Sequence, residues 1–152
     1  MASPSREDYL EAIWILTRDR GAARVSDIAA RLHLSVASAS KMVRRLDQDG
    51  LLKYERYRGL TLTALGEGRG RSLAARHEML ERFLQQLGLR DPARIHDIVE
   101  GIEHFIDGEA LSAIEALLDL ADRDPAWWQR FVAHQRQRAG TRPASPPMQT
   151  DP

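Results

Sequence analysis

Three side chains that could bind a metal ion lie within five positions of the segment VEGIEHFIDGEA, which covers residues 99–110. Glu103 and His104 follow Glu100 by three and four positions, so on a helix all three would project from the same face. Like charges at this spacing repel each other and destabilise a helix by roughly 0.2–0.5 kcal/mol. A bound cation would remove this repulsion, so the segment is a candidate half of a metal site.

A second carboxylate pair and a further histidine could complete such a site. Asp8 and Glu11 are three apart in SREDYLEAIWILTRD, which predicts a helix over residues 5–19 with Ser5 as its N-cap, and His77 lies in a later predicted helix. Four carboxylates and two imidazoles can hold two divalent cations, and oxygen-rich ligation without sulfur favours a hard ion such as Mn²⁺ over Zn²⁺ or copper. Acid pairs at this spacing are also common on solvated surfaces, and a histidine can serve in a core or a cap. Spacing by itself therefore leaves both interpretations open.

Two short helices and a hairpin follow the first predicted helix. The segment ARVSDIAARLHLSVASASKMVRRLDQDG predicts a short helix capped by Ser26, a turn over residues 33–35, and a second helix over residues 36–47. The apolar face of the second helix consists of Ala39, Met42, Val43 and Leu46. The next segment, LLKYERYRGLTLTALG, alternates with a period of about two, which predicts a two-stranded hairpin with a basic tip at residues 56–58.

This order of elements is that of a winged helix-turn-helix, in which the second helix enters the major groove and the hairpin contacts the adjacent backbone. Small side chains would let that helix approach the base edges, and basic ones could contact phosphates or guanine. We predict DNA contacts from Ser38, Ser40, Lys41, Arg44 and Arg45 on the helix and from Arg56 and Arg58 on the wing. The alternative is a solvated basic helix beside an ordinary hairpin.

The charge distribution agrees with a division of labour along the chain. The net charge is zero, but residues 18–71 contain 12 basic and 6 acidic side chains, a net charge of +6, and the remainder carries −6. This asymmetry favours a polyanion as partner of the first part and a cation as partner of the rest. The chain has no cysteine, which excludes disulfides and thiolate metal sites. No apolar run approaches the roughly 18 residues of a membrane span, and residues 1–10 lack the apolar core of a signal peptide, so we expect a cytoplasmic protein without a membrane partner.

The remaining sequence predicts helices only, so the fold class is mainly α: an N-terminal winged helix-turn-helix followed by an all-helical domain. The predicted helices cover residues 64–87, 92–106 and 109–122, and a last one begins at Pro125. From residue 140 onward the chain is rich in proline and poor in apolar residues, which predicts a disordered tail. The predicted domains are a DNA-binding domain at residues 1–71, a metal-binding and dimerisation domain at 72–139, and the tail at 140–152.

The sequence resembles the manganese-dependent transcription regulators of the diphtheria-toxin-repressor family from about residue 3 to residue 125. The resemblance lies in EDYLEAIW, ARVSDIAARL, SKMVRRLDQDG, YERYRGLTLTALG, RHEMLERFL and VEGIEH. It implies a repressor that binds double-stranded operator DNA as a homodimer when manganese is plentiful and that controls manganese uptake. The implied site holds two Mn²⁺ ions per subunit on Asp8, Glu11, His77, Glu100, Glu103 and His104.

The resemblance also bears on the choice of metal and on the number of sites. Iron-responsive relatives typically have methionine at the position of Asp8 and cysteine at that of Glu100, so these residues favour Mn²⁺ over Fe²⁺. Glu81 and His96 lie four residues from His77 and Glu100, respectively, and resemble part of the ancillary metal site of the iron-responsive branch. We therefore treat Glu81 and His96 as possible ligands of an additional ion.

Three other functions are compatible with parts of the sequence. The first is an Fe²⁺-responsive repressor of the same family, the second a dinuclear metalloenzyme, and the third a repressor that senses an organic ligand. An enzyme would need a nucleophile or a separate general base, which the sequence does not offer, and it would leave the winged module without a purpose. We therefore predict a protein that is not an enzyme, with no catalytic residues and no organic ligand.

Overall fold

The computed structural model describes residues 4–55 and 59–140. The chain divides into two compact units between Glu78 and Met79. The first unit contains α1 (Arg6–Arg20), α2 (Val25–Arg31), α3 (Val36–Gln48), β1 (Leu52–Glu55) and β2 (Gly59–Leu62). Helix α4 (Ala64–Gln86) runs through the boundary, and the second unit continues with α5 (Pro92–Ile102), a 3-10 turn (Glu103–Phe105), α6 (Gly108–Arg123) and α7 (Pro125–Gly140). The mainly α class with a small hairpin is confirmed, whereas the domain limits inferred from the sequence stay a prediction.

Helix α1 begins where the sequence predicts it because Ser5 caps it. The Ser5 hydroxyl accepts a hydrogen bond from the Asp8 N–H, and the Asp8 carboxylate accepts one from the Ser5 N–H. This reciprocal capping box satisfies donors that the first turn would otherwise leave unpaired. The helix ends at Gly21, whose φ of 74° lies in the left-handed region that favours glycine. On its buried face, loss of solvation raises the pKa of the Tyr9 phenol, which stays neutral.

The start of α2 differs from the sequence prediction. The N-cap position is Arg24 rather than Ser26, and the Arg24 N–H donates to the Asp27 carboxylate at 3.2 Å. Ser26 therefore lies inside the first turn of the helix. Asp27 thus satisfies the N–H of the N-cap residue itself, and no side chain at the N-cap position accepts from the first turn.

His33 turns the chain between α2 and α3 in a left-handed conformation, with a φ of 54°. The Leu34 N–H donates to the Ala29 carbonyl at 2.8 Å and the His33 N–H to the Ala30 carbonyl at 3.4 Å, which is the Schellman pattern of a helix end. Glycine is the usual residue at this position because a side chain costs about 1 kcal/mol there. Ser35 then caps α3 by accepting a backbone hydrogen bond at 3.1 Å.

The predicted hairpin is confirmed, and its register is Leu52–Leu62, Lys53–Thr61, Tyr54–Leu60 and Glu55–Gly59. A further antiparallel bridge joins Ala23 to Leu60. The Leu60 N–H donates to the Ala23 carbonyl at 3.0 Å, and the Ala23 N–H donates to the Leu60 carbonyl at 3.3 Å. The predicted wing tip, including Arg56 and Arg58, lies outside the described residues. The bridge joins β2 to the segment that precedes α2.

One apolar cluster of the first unit contains residues from α1, α2, α3 and the hairpin. Its buried members are Tyr9, Leu10, Ile13, Ala23, Ile28, Ala29, Ala39, Val43, Leu46, Leu51, Leu52 and Leu60. Of the predicted inward face of α3, three residues are buried and Met42 is partly buried against them. Helices α1 and α3 thus bury their apolar faces in one core, with α2 and the hairpin packed against both.

Two glycines let α4 approach its neighbours in the first unit. A Cβ added to Gly66 would clash with the Leu51 carbonyl oxygen, and one added to Gly70 would lie 2.6 Å from the Cβ of Trp14 on α1. A Cβ at Gly68 would meet nothing within 4 Å. Each glycine costs a helix about 1 kcal/mol relative to alanine. At Gly66 and Gly70 the lack of a side chain lets α4 pack closely against Leu51 and Trp14, which offsets this cost.

Helix α5 is shorter than the predicted helix over residues 92–106. It ends at Ile102, and Glu103–Phe105 form the 3-10 turn. Asp107 limits how far this helical segment can run, since it is the N-cap of α6 and its carboxylate accepts from the Ala110 N–H at 2.9 Å. Its ψ of 177° is extended, so the chain must leave the helical conformation before reaching it.

The second unit has its own apolar cluster, with Leu80, Ile95 and Val99 buried and Leu84, Leu89, Ile106 and Ile114 packed against them. Arg82 of α4 contacts Asp122 of α6 at 2.6 Å, and the Trp128 indole N–H of α7 donates to the Gln86 carbonyl at 3.2 Å. These contacts hold α6 and α7 against the end of α4.

The predicted tail beyond Gly140 lies outside the described residues. In the ranges that the structure describes, no helix has the length and apolar character needed to cross a membrane.

Candidate functional site

Asp8 is held by the start of α1. Its Oδ2 accepts a hydrogen bond from the Ser5 N–H at 2.6 Å, and its Oδ1 accepts one from the Ser5 hydroxyl at 2.9 Å. An ionised carboxylate has about four lone-pair sites, so an oxygen that accepts a hydrogen bond can also bind a cation. The capping box therefore fixes the orientation of a predicted metal ligand, as outer-shell hydrogen bonds do in metal sites.

Glu11 and His77 are close together in the first unit. Oε1 of Glu11 lies 4.0 Å from Nδ1 of His77, and both side chains are largely buried, with 14% and 10% of their surfaces exposed. This distance is too long for a hydrogen bond. Two donor atoms that bind the same hard divalent ion, each at about 2.1 Å, lie roughly 3–4 Å apart. The spacing therefore fits a shared cation.

The predicted donors of the second unit lie at the end of α5. Glu100 is in its last turn and is exposed, whereas Glu103 and His104 belong to the 3-10 turn. The prediction that one α-helix carries all three is wrong, because the helix ends at Ile102. Glu103 is only 2% exposed. A carboxylate so deeply buried requires hydrogen bonds or a cation to offset its lost hydration, which makes its chemistry compatible with a metal ligand.

The suspected ancillary residues also come together within the second unit. Nδ1 of His96 lies 3.8 Å from Oε1 of Glu81, and Nε2 of the same ring lies 3.8 Å from Oε1 of Glu100. The imidazole is thus flanked by a carboxylate at each nitrogen. These oxygen and nitrogen donors, with no sulfur among them, suit a hard or borderline divalent cation.

The predicted DNA-reading face of α3 is open to solvent. Ser38, Lys41, Arg44 and Arg45 are exposed and Ser40 is half-buried, while the opposite face is buried in the core of the first unit. Helix α3 therefore presents three cationic side chains together from a rigidly packed element. The wing arginines, Arg56 and Arg58, fall outside the described residues.

Three side chains that adjoin the predicted ligands were not among the predicted site residues, and only one of them, Ser5, was predicted to have a role, as an N-cap. Ser5 holds Asp8, and Glu7 on α1 pairs with Arg76 on α4 at 2.9 Å. The pattern S-x-x-D before an apolar run indicates the first of these contacts. The second joins residues 69 positions apart, and no local pattern reveals it.

Comparison with known proteins identifies relatives of both units. Residues 1–60 match the family described as iron-dependent repressor, N-terminal DNA-binding domain. Residues 63–127 match the family described as iron-dependent repressor, metal-binding and dimerisation domain. The HTH-type transcriptional regulator MntR of Lysinibacillus sphaericus (strain C3-41) is 44% identical over 137 residues, which cover 90% of this chain and 98% of the relative.

Solved structures give the same result for the fold. The structure of the manganese regulator SloR superposes with a TM-score of 0.69 and 26% identity, covering 78% of this chain and 55% of that one. A manganese-dependent transcriptional repressor in complex with manganese gives a TM-score of 0.64 and 28% identity, covering 76% of this chain and 53% of the other. The chain thus spans about half the length of these solved relatives.

Proposed function

The chain belongs to the diphtheria-toxin-repressor family of metal-dependent transcription regulators, and on this premise we propose that it is a Mn²⁺-responsive repressor of manganese uptake genes. In this role it binds operator DNA when Mn²⁺ is abundant and releases the DNA when Mn²⁺ is scarce. The regulators of the family act on DNA, so we place its action in the cytoplasm.

Six side chains would hold the metal, two ions to each subunit: Asp8, Glu11, His77, Glu100, Glu103 and His104. The spacing of Glu11 and His77 and the burial of Glu103 support this ligand set. So does the donor chemistry, which is rich in oxygen and free of sulfur. Glu81 and His96, which are 3.8 Å apart, would bind a further ion more weakly because His96 is exposed.

The observation that carries the proposal is the core shared by α1 and α3. Helix α1 supplies Asp8 and Glu11, and α3 exposes Lys41, Arg44 and Arg45. A cation that binds the carboxylates of α1 would therefore restrain a helix whose apolar face belongs to the same core as the apolar face of α3. The metal favours the DNA-binding conformation only to the extent that it binds that conformation more tightly.

Dimerisation completes the mechanism. Residues 63–127 match a metal-binding and dimerisation domain. A two-fold dimer would present two copies of α3 to a pseudo-palindromic operator. Metal binding in each subunit would fix the separation of the two reading helices. Basic side chains on α3 would supply phosphate contacts, and Ser38 and Ser40 would let the helix approach the base edges.

The test is DNA binding across a series of divalent metals. Duplexes selected in vitro by the protein with Mn²⁺ are assayed by gel shift with Mn²⁺, Fe²⁺, Zn²⁺ or a chelator. We expect the tightest binding with Mn²⁺ and loss of binding with chelator, and we expect Glu11→Gln to abolish the metal response. Equal binding with and without chelator would exclude a metal sensor.

Metal preference has a separate test in Asp8→Met. A thioether is a softer ligand than a carboxylate, so the variant should respond to Fe²⁺ at concentrations at which the parent protein does not. Asp8→Asn serves as the matched control, because it removes the charge without adding sulfur. An unchanged order of metals in Asp8→Met would contradict the assigned role of Asp8.

A further inference from the structure

A long-range ion pair joins α1 to α4 inside the first unit. The Arg76 guanidinium lies 2.9 Å from Oε2 of Glu7, and the two residues are 69 positions apart. The Arg76 side chain is only 18% exposed, whereas that of Glu7 is 53% exposed. Among the described residues, the buried Nε of Arg76 finds no hydrogen-bond partner. The guanidinium has therefore lost much of its hydration where it contacts Glu7.

The position of this pair relative to the proposed metal ligands is specific. Arg76 directly precedes His77, and Glu7 directly precedes Asp8 and lies one helical turn before Glu11. The same two helices bring Glu11 and His77 to 4.0 Å. The ion pair thus links the backbones from which three of the proposed ligands project.

A second contact between the two helices sets how closely they approach. Trp14 of α1 packs where Gly70 of α4 leaves room, since a Cβ there would lie 2.6 Å from the Trp14 Cβ. Leu73 of α4 also packs against the apolar core to which α1 belongs. Apolar packing is non-directional, whereas the pair of Glu7 and Arg76 requires two particular side chains to face each other and therefore favours one register.

We propose that Arg76 is a positioning residue, which pairs with Glu7 to hold α1 and α4 in the register that brings Glu11 to His77. One half of the metal site is then formed before the metal binds. The proposal rests on the proposed function, because it concerns the same ligands. A preformed site binds more tightly, since the cation does not have to order its ligands on arrival.

The experiment measures Mn²⁺ affinity by calorimetry and, on the metal-free protein, hydrogen exchange in α1 and thermal unfolding. Arg76→Ala and Glu7→Gln should each lower Mn²⁺ affinity about tenfold, the lower end of the effect typical of outer-shell partners. The double variant should be no worse than either single one, and the charge swap Glu7→Arg with Arg76→Glu should recover most of the affinity. In the metal-free protein, the single variants should exchange the α1 amides faster. Arg71→Ala is the matched control, because it breaks an exposed ion pair with Glu67 that lies wholly within α4, at 3.0 Å.

The outcomes separate this proposal from the proposed function. A lower unfolding temperature with unchanged Mn²⁺ affinity in Arg76→Ala and Glu7→Gln would show a purely structural pair and overturn the inference alone. Additive losses in the double variant would also overturn it, because they would show that the two side chains act independently. Failure of the parent protein to bind Mn²⁺ at all would instead refute the proposed function.

Discussion

Replacing Gly70 with alanine tests whether the close approach of α4 to α1 is required. The new Cβ would lie 2.6 Å from the Cβ of Trp14 and 3.0 Å from its Cγ, and neither atom can move away by a rotation of the ring. Overpacking of this kind costs about 1–3 kcal/mol, and removal of a helical glycine returns about 1 kcal/mol. We therefore expect the free energy of unfolding to fall by about 1 kcal/mol.

Gly68→Ala is the matched control, because it makes the same chemical change two residues away where nothing lies within 4 Å. It should raise the free energy of unfolding by about 0.5–1 kcal/mol through helix propensity alone. The propensity contribution is nearly the same in both variants, so their difference isolates the overpacking cost. We expect that difference to be about 2 kcal/mol.

Urea unfolding of the metal-free protein, followed by circular dichroism, measures this difference directly. For a chain of this length, it should also separate the two melting temperatures by roughly 4–8 °C. Mn²⁺ calorimetry adds a functional readout: Gly70→Ala should bind more weakly because Glu11 and His77 are moved apart, and Gly68→Ala should bind as the parent does. Equal stabilisation by both alanines would refute the close approach of the two helices.

Three further predictions concern single side chains. Ser5→Ala removes the hydroxyl that caps α1 and holds the Asp8 carboxylate. It should lower the free energy of unfolding in urea by about 1 kcal/mol and weaken Mn²⁺ binding in calorimetry. Equal Mn²⁺ affinity in Ser5→Ala and Ser5→Thr would refute the orienting role. His33→Gly relieves the left-handed backbone at φ 54° and should stabilise the protein by about 1 kcal/mol without changing the affinity for selected DNA, whereas destabilisation would contradict the turn geometry. Lys41→Ala should weaken DNA binding, reduce the slope of log affinity against log salt by about 1, and leave Mn²⁺ affinity unchanged; an unaltered slope would argue against a phosphate contact.

Local patterns made most elements of this fold predictable. Ser5 and Ser35 cap α1 and α3 because the acceptor and the donor lie within three residues of each other. The period of the apolar residues distinguishes the helices from the hairpin in the same way. The errors were local as well. Helix α2 begins after Arg24, whose N–H donates to Asp27, and Asp107 begins α6 as its N-cap. Both acids stand in the sequence where a capping pattern would have indicated them.

The types of ligand in the candidate site could also be predicted from the sequence. Its carboxylates, its imidazoles and the lack of cysteine restrict the chemistry to hard or borderline cations, because ligand type depends on residue identity alone. The resemblance then selected the six residues. Their assignment as ligands is a prediction that the metal series will test.

Only the tertiary structure decided which distant residues meet. The contact of Arg76 with Glu7, the distance between Glu11 and His77, and the fit of Trp14 against Gly70 all join α1 to α4 across more than fifty residues. The burial of Glu103, at 2% exposure, is another result of packing. Helix caps depend on hydrogen bonds between residues a few positions apart, and apolar periodicity depends on which neighbouring residues share a face. Both can therefore be predicted from the sequence. The approach and register of two helices depend on how whole surfaces fit, and that information becomes explicit only when the chain is folded.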